Sequence, residues 1–208
     1  MQAQFIIASI EAVYEVILNH EAELESLDRA IGDGDHYINI SRGLTKLMDL
    51  RESLQDLSVD ESLNKIAMTL LSTIGGASGP LFASFFMGMA QSFQQPSDMT
   101  AKLYANAFSA GVEKLAQRGK SSLGEKTMLD VLIPVADEFK LAADKGLTSK
   151  ETASALIVTA EKGVLATKEL LATKGRAAGL GERAIGHIDP GAKSCQLIIE
   201  TICKLILR

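Results

Sequence analysis

Apolar residues recur along almost the whole chain at helical spacing, and no stretch shows the sustained period-two alternation of a half-buried strand. Ile6, Ile10, Val13 and Ile17 line one helical face, as do Met128, Leu132, Val135, Phe139 and Ala142. A third stripe runs through Ala153, Leu156, Ile157, Ala160, Val164 and Leu171. Start signals agree with the pattern. Ser58 with Glu61, and Thr148 with Glu151, have capping-box spacing, and Asp189-Pro190 reads as an N-cap followed by proline at the first helical position. These cues predict helices over 2–25, 38–56, 59–73, 78–94, 98–118, 126–145, 148–174 and 190–207. Segment 80–90, apolar on every side, should be the most buried. Short connections favour antiparallel neighbours, so the expected fold is all-α: eight helices in an up-and-down barrel or bundle, forming a single domain over 1–208.

Composition narrows what such a domain can do. Hydrophobic residues make up 47% and charged residues 23%, which is enough apolar material for a packed core. The 21 basic and 26 acidic side chains leave a net charge of −5, which argues against a nucleic-acid partner. The longest apolar stretch, 80–90, is broken by Ser84 and Gly88 and is too short for membrane insertion. The N-terminus lacks the basic start and apolar run of a signal peptide. Two cysteines, Cys195 and Cys203, make no disulfide framework and no zinc site, so the expected location is cytoplasmic.

Glycines and unusual polar residues gather at four junctions: 28–43, 75–81, 119–130 and 175–194. If the helices alternate up and down, all four lie at one end, while the turns near 57, 96 and 146 carry little besides capping residues. One rim therefore does something other than turn the chain. The first junction holds Asp28, Asp33 and Asp35, carboxylates that would repel one another without a cation; hard ions such as Mg²⁺ take oxygen ligands of this kind. A calcium EF-hand is excluded by Tyr37, Ile38 and Leu44, and the plain alternative is an acidic turn capping the next helix. The second junction, Gly-Gly-Ala-Ser-Gly-Pro over 75–80, exposes amides at a helix start, where the dipole favours phosphate; close packing of a buried helix start is the other explanation. Gly119-Lys120-Ser121 is not a P-loop, because position 114 is Lys114 and a helix precedes it; what remains is a flexible mixed-charge loop that could lie over a nucleotide, with a solvated surface loop as the plain alternative. The fourth junction carries Arg176 and Arg183, suited to phosphate, with Glu182 as a partner that could lock them.

Taken together and in order, these four segments resemble the nucleotide-binding L domain of dihydroxyacetone kinases. The resemblance rests on Gly32-Asp33-Gly34-Asp35-His36, on Gly-Gly-Ala-Ser-Gly-Pro-Leu at 75–81, on Gly-Glu-Lys-Thr-Met-Leu-Asp at 124–130 and on Gly-Glu-Arg-Ala-Ile-Gly-His-Ile-Asp-Pro-Gly-Ala at 181–192. It implies an eight-helix antiparallel barrel with ADP or ATP on the loops at one end. Asp28, Asp33 and Asp35 would hold two Mg²⁺ ions, and His36, Tyr37, Ile38, Asn39, Ala77 and Ser78 would meet the phosphate-bearing part of the nucleotide. Gly119 and Met128 would lie near the nucleotide, with Arg176 and Asp189-Pro190-Gly191 completing the contacts. It further implies a phosphotransferase-linked kinase subunit. A phosphohistidine-bearing M subunit would recharge the bound ADP, and dihydroxyacetone would be held on a K subunit. Two departures stand out: Tyr37 replaces the family's usual small residue, and Ala178-Gly179 replaces a Ser-Tyr pair. Competing expectations are the L component of a related ketose kinase using free ATP, a nucleotide-binding regulatory module without phosphoryl transfer, and a helical scaffold with capped turns.

Overall fold

The computed structural model describes residues 2–94 and 98–208. Among them there are ten α-helices, two 3₁₀ segments and no strand. The helices are α1 (Gln2–Asn19), α2 (Glu21–Ile31), α3 (His36–Asp49), α4 (Arg51–Leu54), α5 (Val59–Thr73), α6 (Ser78–Gln91), α7 (Ala101–Gly119), α8 (Leu129–Asp144), α9 (Ser149–Ala166) and α10 (Pro190–Leu207). Eight of them form a closed ring. From α5 to α10 each packs on the next, α10 packs on α1, α1 on α3, and α3 on α5. This is the expected barrel, with α2 and α4 as short additions on its wall. The predicted turn near 96 lies outside the described residues.

Two expected helices are subdivided, and one break has a visible cause. At His20 the imidazole Nδ1 takes the Val16 carbonyl (2.7 Å), while the residue's own amide moves to the Ile17 carbonyl (3.2 Å), so the regular ladder stops. Glu21 and Glu23 then sit in the first turn of α2, where acids suit the helix dipole. The second expected helix divides at Leu50 into α3 and α4.

All three start signals are built as expected. Both capping boxes are present, with the Ser58 amide donating to Glu61 (2.9 Å) and the Thr148 amide to Glu151 (2.9 Å). Asp189 accepts the Ala192 amide (2.7 Å) at the head of α10, ahead of Pro190. The segment 80–90 has no exposed residue, yet it is not the most buried: six of the fourteen residues of α6 are buried, against nine of the eighteen of α10. Gly88 of α6 and Gly111 of α7 allow a close helix approach: a Cβ at Gly88 would sit 2.7 Å from the Ala110 carbonyl oxygen, and one at Gly111 would sit 2.8 Å from that of Phe85. The main core fills the ring with aliphatic side chains such as Ile17, Leu24, Leu115, Val131 and Val135. A smaller cluster of Ile31, Ala172, Ala177 and Ala184 pins the fourth junction to the end of α2.

Candidate nucleotide and metal site

The four glycine-rich junctions converge on one cavity of about 710 Å³ at an end of the barrel. Its construction starts with α2, which runs further than expected and carries Asp28 in its last turn, so the first junction shrinks to the tight link 32–35. Asp28 is buried, and its Oδ2 accepts the His36 amide (3.0 Å), tying the end of α2 to the start of α3. Only glycine fits at position 32, because a Cβ there would collide with the Asp28 carboxylate. Gly34 adopts φ 80°, a conformation that glycine reaches without strain. The link brings oxygens of Asp28, Asp33 and Asp35 to within 4.8 Å of one another.

The capping explanation of these acids fits only one of them. Asp35 occupies the N-cap position of α3 yet makes no side-chain capping bond. Asp33 faces the Arg176 guanidinium instead (2.7 Å). An all-oxygen set of three converging carboxylates matches what a hard divalent cation requires and offers nothing to a soft one.

Beside the acids, the His36 Nε2 lies 2.7 Å from Ser194 Oγ. That hydroxyl donates to the Pro190 carbonyl (2.9 Å), so it accepts from the imidazole, and the ring is oriented by its Nε2–H. Burial draws the His36 pKa below its ordinary value, against the opposing pull of Asp28 and Asp35. Asn39 is buried and accepts from Arg42 (3.3 Å), and the second junction approaches it closely: a Cβ at Gly75 would lie 2.7 Å from its Oδ1. Ala77 and Ser78 line the cavity at the start of α6, where first-turn amides lack helical partners. Close packing also operates here, since Gly79 lies directly against the Ile74 carbonyl. Close packing thus accounts for Gly79, while Ala77 and Ser78 are left facing the cavity.

The third junction is not the solvated surface loop of the plain alternative, since Gly119, Ser121, Lys126, Thr127 and Met128 all line the cavity. Helix α8 begins at Leu129 rather than 126, because Asp130 takes the amides of Gly124 (2.6 Å) and Thr127 (2.7 Å) and folds the loop back on itself. Glu125 accepts from the Ser122 amide (2.7 Å) and from Thr173 Oγ1 (2.8 Å), joining the third junction to the fourth. These bonds, led by Thr173, hold the Glu125 carboxyl down at about 2. Helix α9 likewise ends at Ala166, well short of 174. Thr167 spends its hydroxyl on the Val164 carbonyl (2.7 Å) and the Asp189 amide (3.1 Å), and its carbonyl on the Lys126 ammonium. The fourth junction has structure of its own, a 3₁₀ segment over Ala177–Ala184 that turns at Gly181 (φ 57°). Arg176 reaches Asp33, so the suggested pairing with Glu182 is not adopted there.

Of the residues singled out in the sequence, Asp28, Asp33, Asp35, His36, Asn39, Ala77, Ser78, Gly119, Met128, Arg176, Asp189, Pro190 and Gly191 line this cavity. Tyr37 and Ile38 do not. Tyr37 packs against the main core and is hydrogen-bonded to Glu21, while Ile38 is 56% exposed on the outer face of α3. Consecutive residues at a helix start point in different directions, so a run of four cannot all face one ligand. Both departures from the family pattern, Tyr37 and Ala178-Gly179, thus lie off the cavity wall. Sequence reasoning missed Arg118, Ser121, Lys126, Thr127 and Lys174, which also line it. Lys126 lies in the motif over 124–130 but was given no role of its own, since the predicted helix begins there. The wall contains four aspartates, counting Asp189, and four basic side chains, Arg118, Lys126, Lys174 and Arg176. Burial pushes Asp189 up to about 7, although the Ala192 amide and Lys126 pull it back.

A cation-ready acidic cluster beside basic side chains and a helix N-terminus, at the open end of a helical barrel, is the arrangement that a metal-bridged phosphate compound would require. Residues 30–204 match the DAK2 domain, and the chain belongs to that family. It is 41% identical over 192 residues to the ADP-binding subunit of the PTS-dependent dihydroxyacetone kinase of Lactococcus lactis, covering 92% of each chain. It is 38% identical over 187 residues to the ADP-binding subunit of the PEP-dependent dihydroxyacetone kinase of Escherichia coli, covering 89% of each. The fold is shared with the dihydroxyacetone kinase from C. freundii, solved in complex with AMP-PNP and Mg²⁺. That match has a TM-score of 0.75 at 23% identity, over 96% of this chain and 33% of that longer one. No helix among the described residues is long and apolar enough to cross a membrane.

Proposed function

We propose that this chain is the nucleotide-bearing subunit of a phosphoenolpyruvate-dependent dihydroxyacetone kinase. It carries phosphate from a phosphohistidine-bearing M subunit to dihydroxyacetone on a K subunit, with ADP/ATP resident throughout. The observation that carries this reading is the meeting of Asp28, Asp33 and Asp35 within 4.8 Å, at a cavity walled by all four glycine-rich junctions. The names of the similar subunits supply the substrate and the phosphate source.

Asp28, Asp33 and Asp35 would hold two Mg²⁺ ions, whose chemistry is to neutralise phosphate charge during transfer. Arg176, now paired with Asp33, would be the guanidinium available to a phosphate, to which it can donate in pairs. Amides of Ala77 and Ser78 at the head of α6 would receive phosphate oxygens, and His36, held by Ser194, lines the same cavity with a fixed ring. Met128, 9% exposed against Gly191, offers a polarizable wall for the base, with Gly119 beside it. Cys195 and Cys203 are buried, unbonded thiols, in keeping with a cytoplasmic setting.

Reconstitution tests the proposal. With K and M subunits of a related system and phosphoenolpyruvate as the phosphate source, the chain should support formation of dihydroxyacetone phosphate with its nucleotide present in stoichiometric amount. If the same partners work with their own nucleotide-binding subunit but not with this chain, the assignment fails.

A further inference from the structure

Lys126 is 1% exposed, and its backbone adopts φ 59°, in the left-handed region. Both features are costly. A buried ammonium loses its hydration, and a β-carbon is strained in that conformation. Such a residue persists only where its surroundings fix it, and here they do. The ammonium donates to the carbonyls of Thr167 and His187, with Asp189 and Asp130 supplying opposite charge nearby. One side chain of the third junction thus grips both the end of α9 and the fourth junction, two residues ahead of Asp189. Thr167 then passes the constraint on, because its hydroxyl accepts the Asp189 amide (3.1 Å).

We infer that Lys126 is a positioning residue for the nucleotide, setting the Asp189-Pro190-Gly191 turn that forms the α10 edge of the cavity. The inference rests on the reading of the cavity as a Mg-ADP site. Lys126 acts through the turn and not on the reacting atoms: with its ammonium engaged by two carbonyls, its contribution is the fixed placement of Gly191 against Met128.

The test compares Mg-ADP affinity by titration calorimetry for the full chain, Lys126→Met and Thr167→Val, each well below its own melting temperature. Methionine keeps the volume and removes the donor; valine removes the acceptor of the Asp189 amide and leaves the ammonium in place. Lys126→Met should retain wild-type helical circular dichroism, bind Mg-ADP about tenfold more weakly, and show faster amide exchange over 186–192. Thr167→Val should move affinity in the same direction, and it decides the question if Lys126→Met does not fold. A residue that merely stabilises the fold would lower the melting temperature and leave the affinity of the folded protein unchanged. Wild-type affinity in a folded Lys126→Met, or in Thr167→Val where the methionine variant is unfolded, overturns the inference while the site reading stands. A wild-type chain that binds no Mg-ADP overturns both.

Discussion

At the scale of single residues, the site depends on Gly32 as well as on its acids, since glycine is what leaves space for the Asp28 carboxylate. Gly32→Ala must push that carboxylate away from Asp33 and Asp35, so Mg-ADP affinity should fall about 10–100-fold, the usual cost of misplacing a metal ligand through its support. Gly34→Ala is the control. An added Cβ there meets only the Arg29 side chain at 3.6 Å, so its cost is backbone strain at φ 80°, and affinity should fall less. Equal losses in calorimetry would contradict the steric argument. Asp189 offers a second test at this scale. Its carboxyl titrates near 7 in the fold against an ordinary value of 3.8, so the native state binds more protons than the unfolded state between those limits. Its contribution to stability is therefore full below about pH 4 and is lost as the pH rises toward 7. In denaturant melts of the nucleotide-free protein, the stability of wild type relative to Asp189→Asn should decline across that window; a flat difference would show that Asp189 is not perturbed.

Elements were legible to the extent that apolar periodicity and local capping chemistry decide them. Ser58, Thr148 and Asp189 start helices as their sequences predict, because each cap is satisfied within three residues of itself. Breaks decided by distant partners were not legible. Helix α9 stops at Ala166 although its apolar stripe runs on to Leu171, because Thr167 is claimed by Lys126 and Asp189, both remote in sequence. Leu171, read as part of that stripe, ends up 47% exposed. The fourth junction looked structureless because the cluster that holds it draws Ile31 from the far end of the chain. Local capping also makes a separable prediction. Ser58→Ala removes the acceptor of the Glu61 amide away from the cavity wall and should cost about 0.5–2 kcal/mol. At about 2–4 °C per kcal/mol for a chain of this size, the melting temperature should drop visibly while Mg-ADP affinity stays unchanged. A loss of affinity would mean that the two ends of the barrel are coupled.

For the whole molecule, the decisive property is that an even ring of alternating helices puts every second connection at the same end. That is why four segments scattered from 28 to 194 in the sequence meet on one cavity, and why the site could be read from their order before any contact was known. What the order could not supply is how firmly the rim is held without ligand, since that depends on the Glu125, Asp130 and Lys126 bonds that stitch neighbouring junctions together. On one side of the rim three carboxylates crowd together with only the exposed Arg176 guanidinium against Asp33, a contact of the kind worth at most about 1 kcal/mol. Cation and nucleotide should therefore stabilise the entire barrel, because only the native ring assembles their ligands. With free ligand at about 100 times its dissociation constant the gain is about 2.7 kcal/mol, which corresponds to a rise of about 5–11 °C in melting temperature for a chain of this size. The rise should need both components: ADP without Mg²⁺ meets uncompensated aspartates, and Mg²⁺ without ADP lacks phosphate oxygens to complete its shell. In differential scanning calorimetry, chelation with EDTA should return the transition to its ligand-free position. A full shift with ADP in the presence of EDTA would mean that the basic side chains bind the diphosphate without help from Asp28, Asp33 and Asp35.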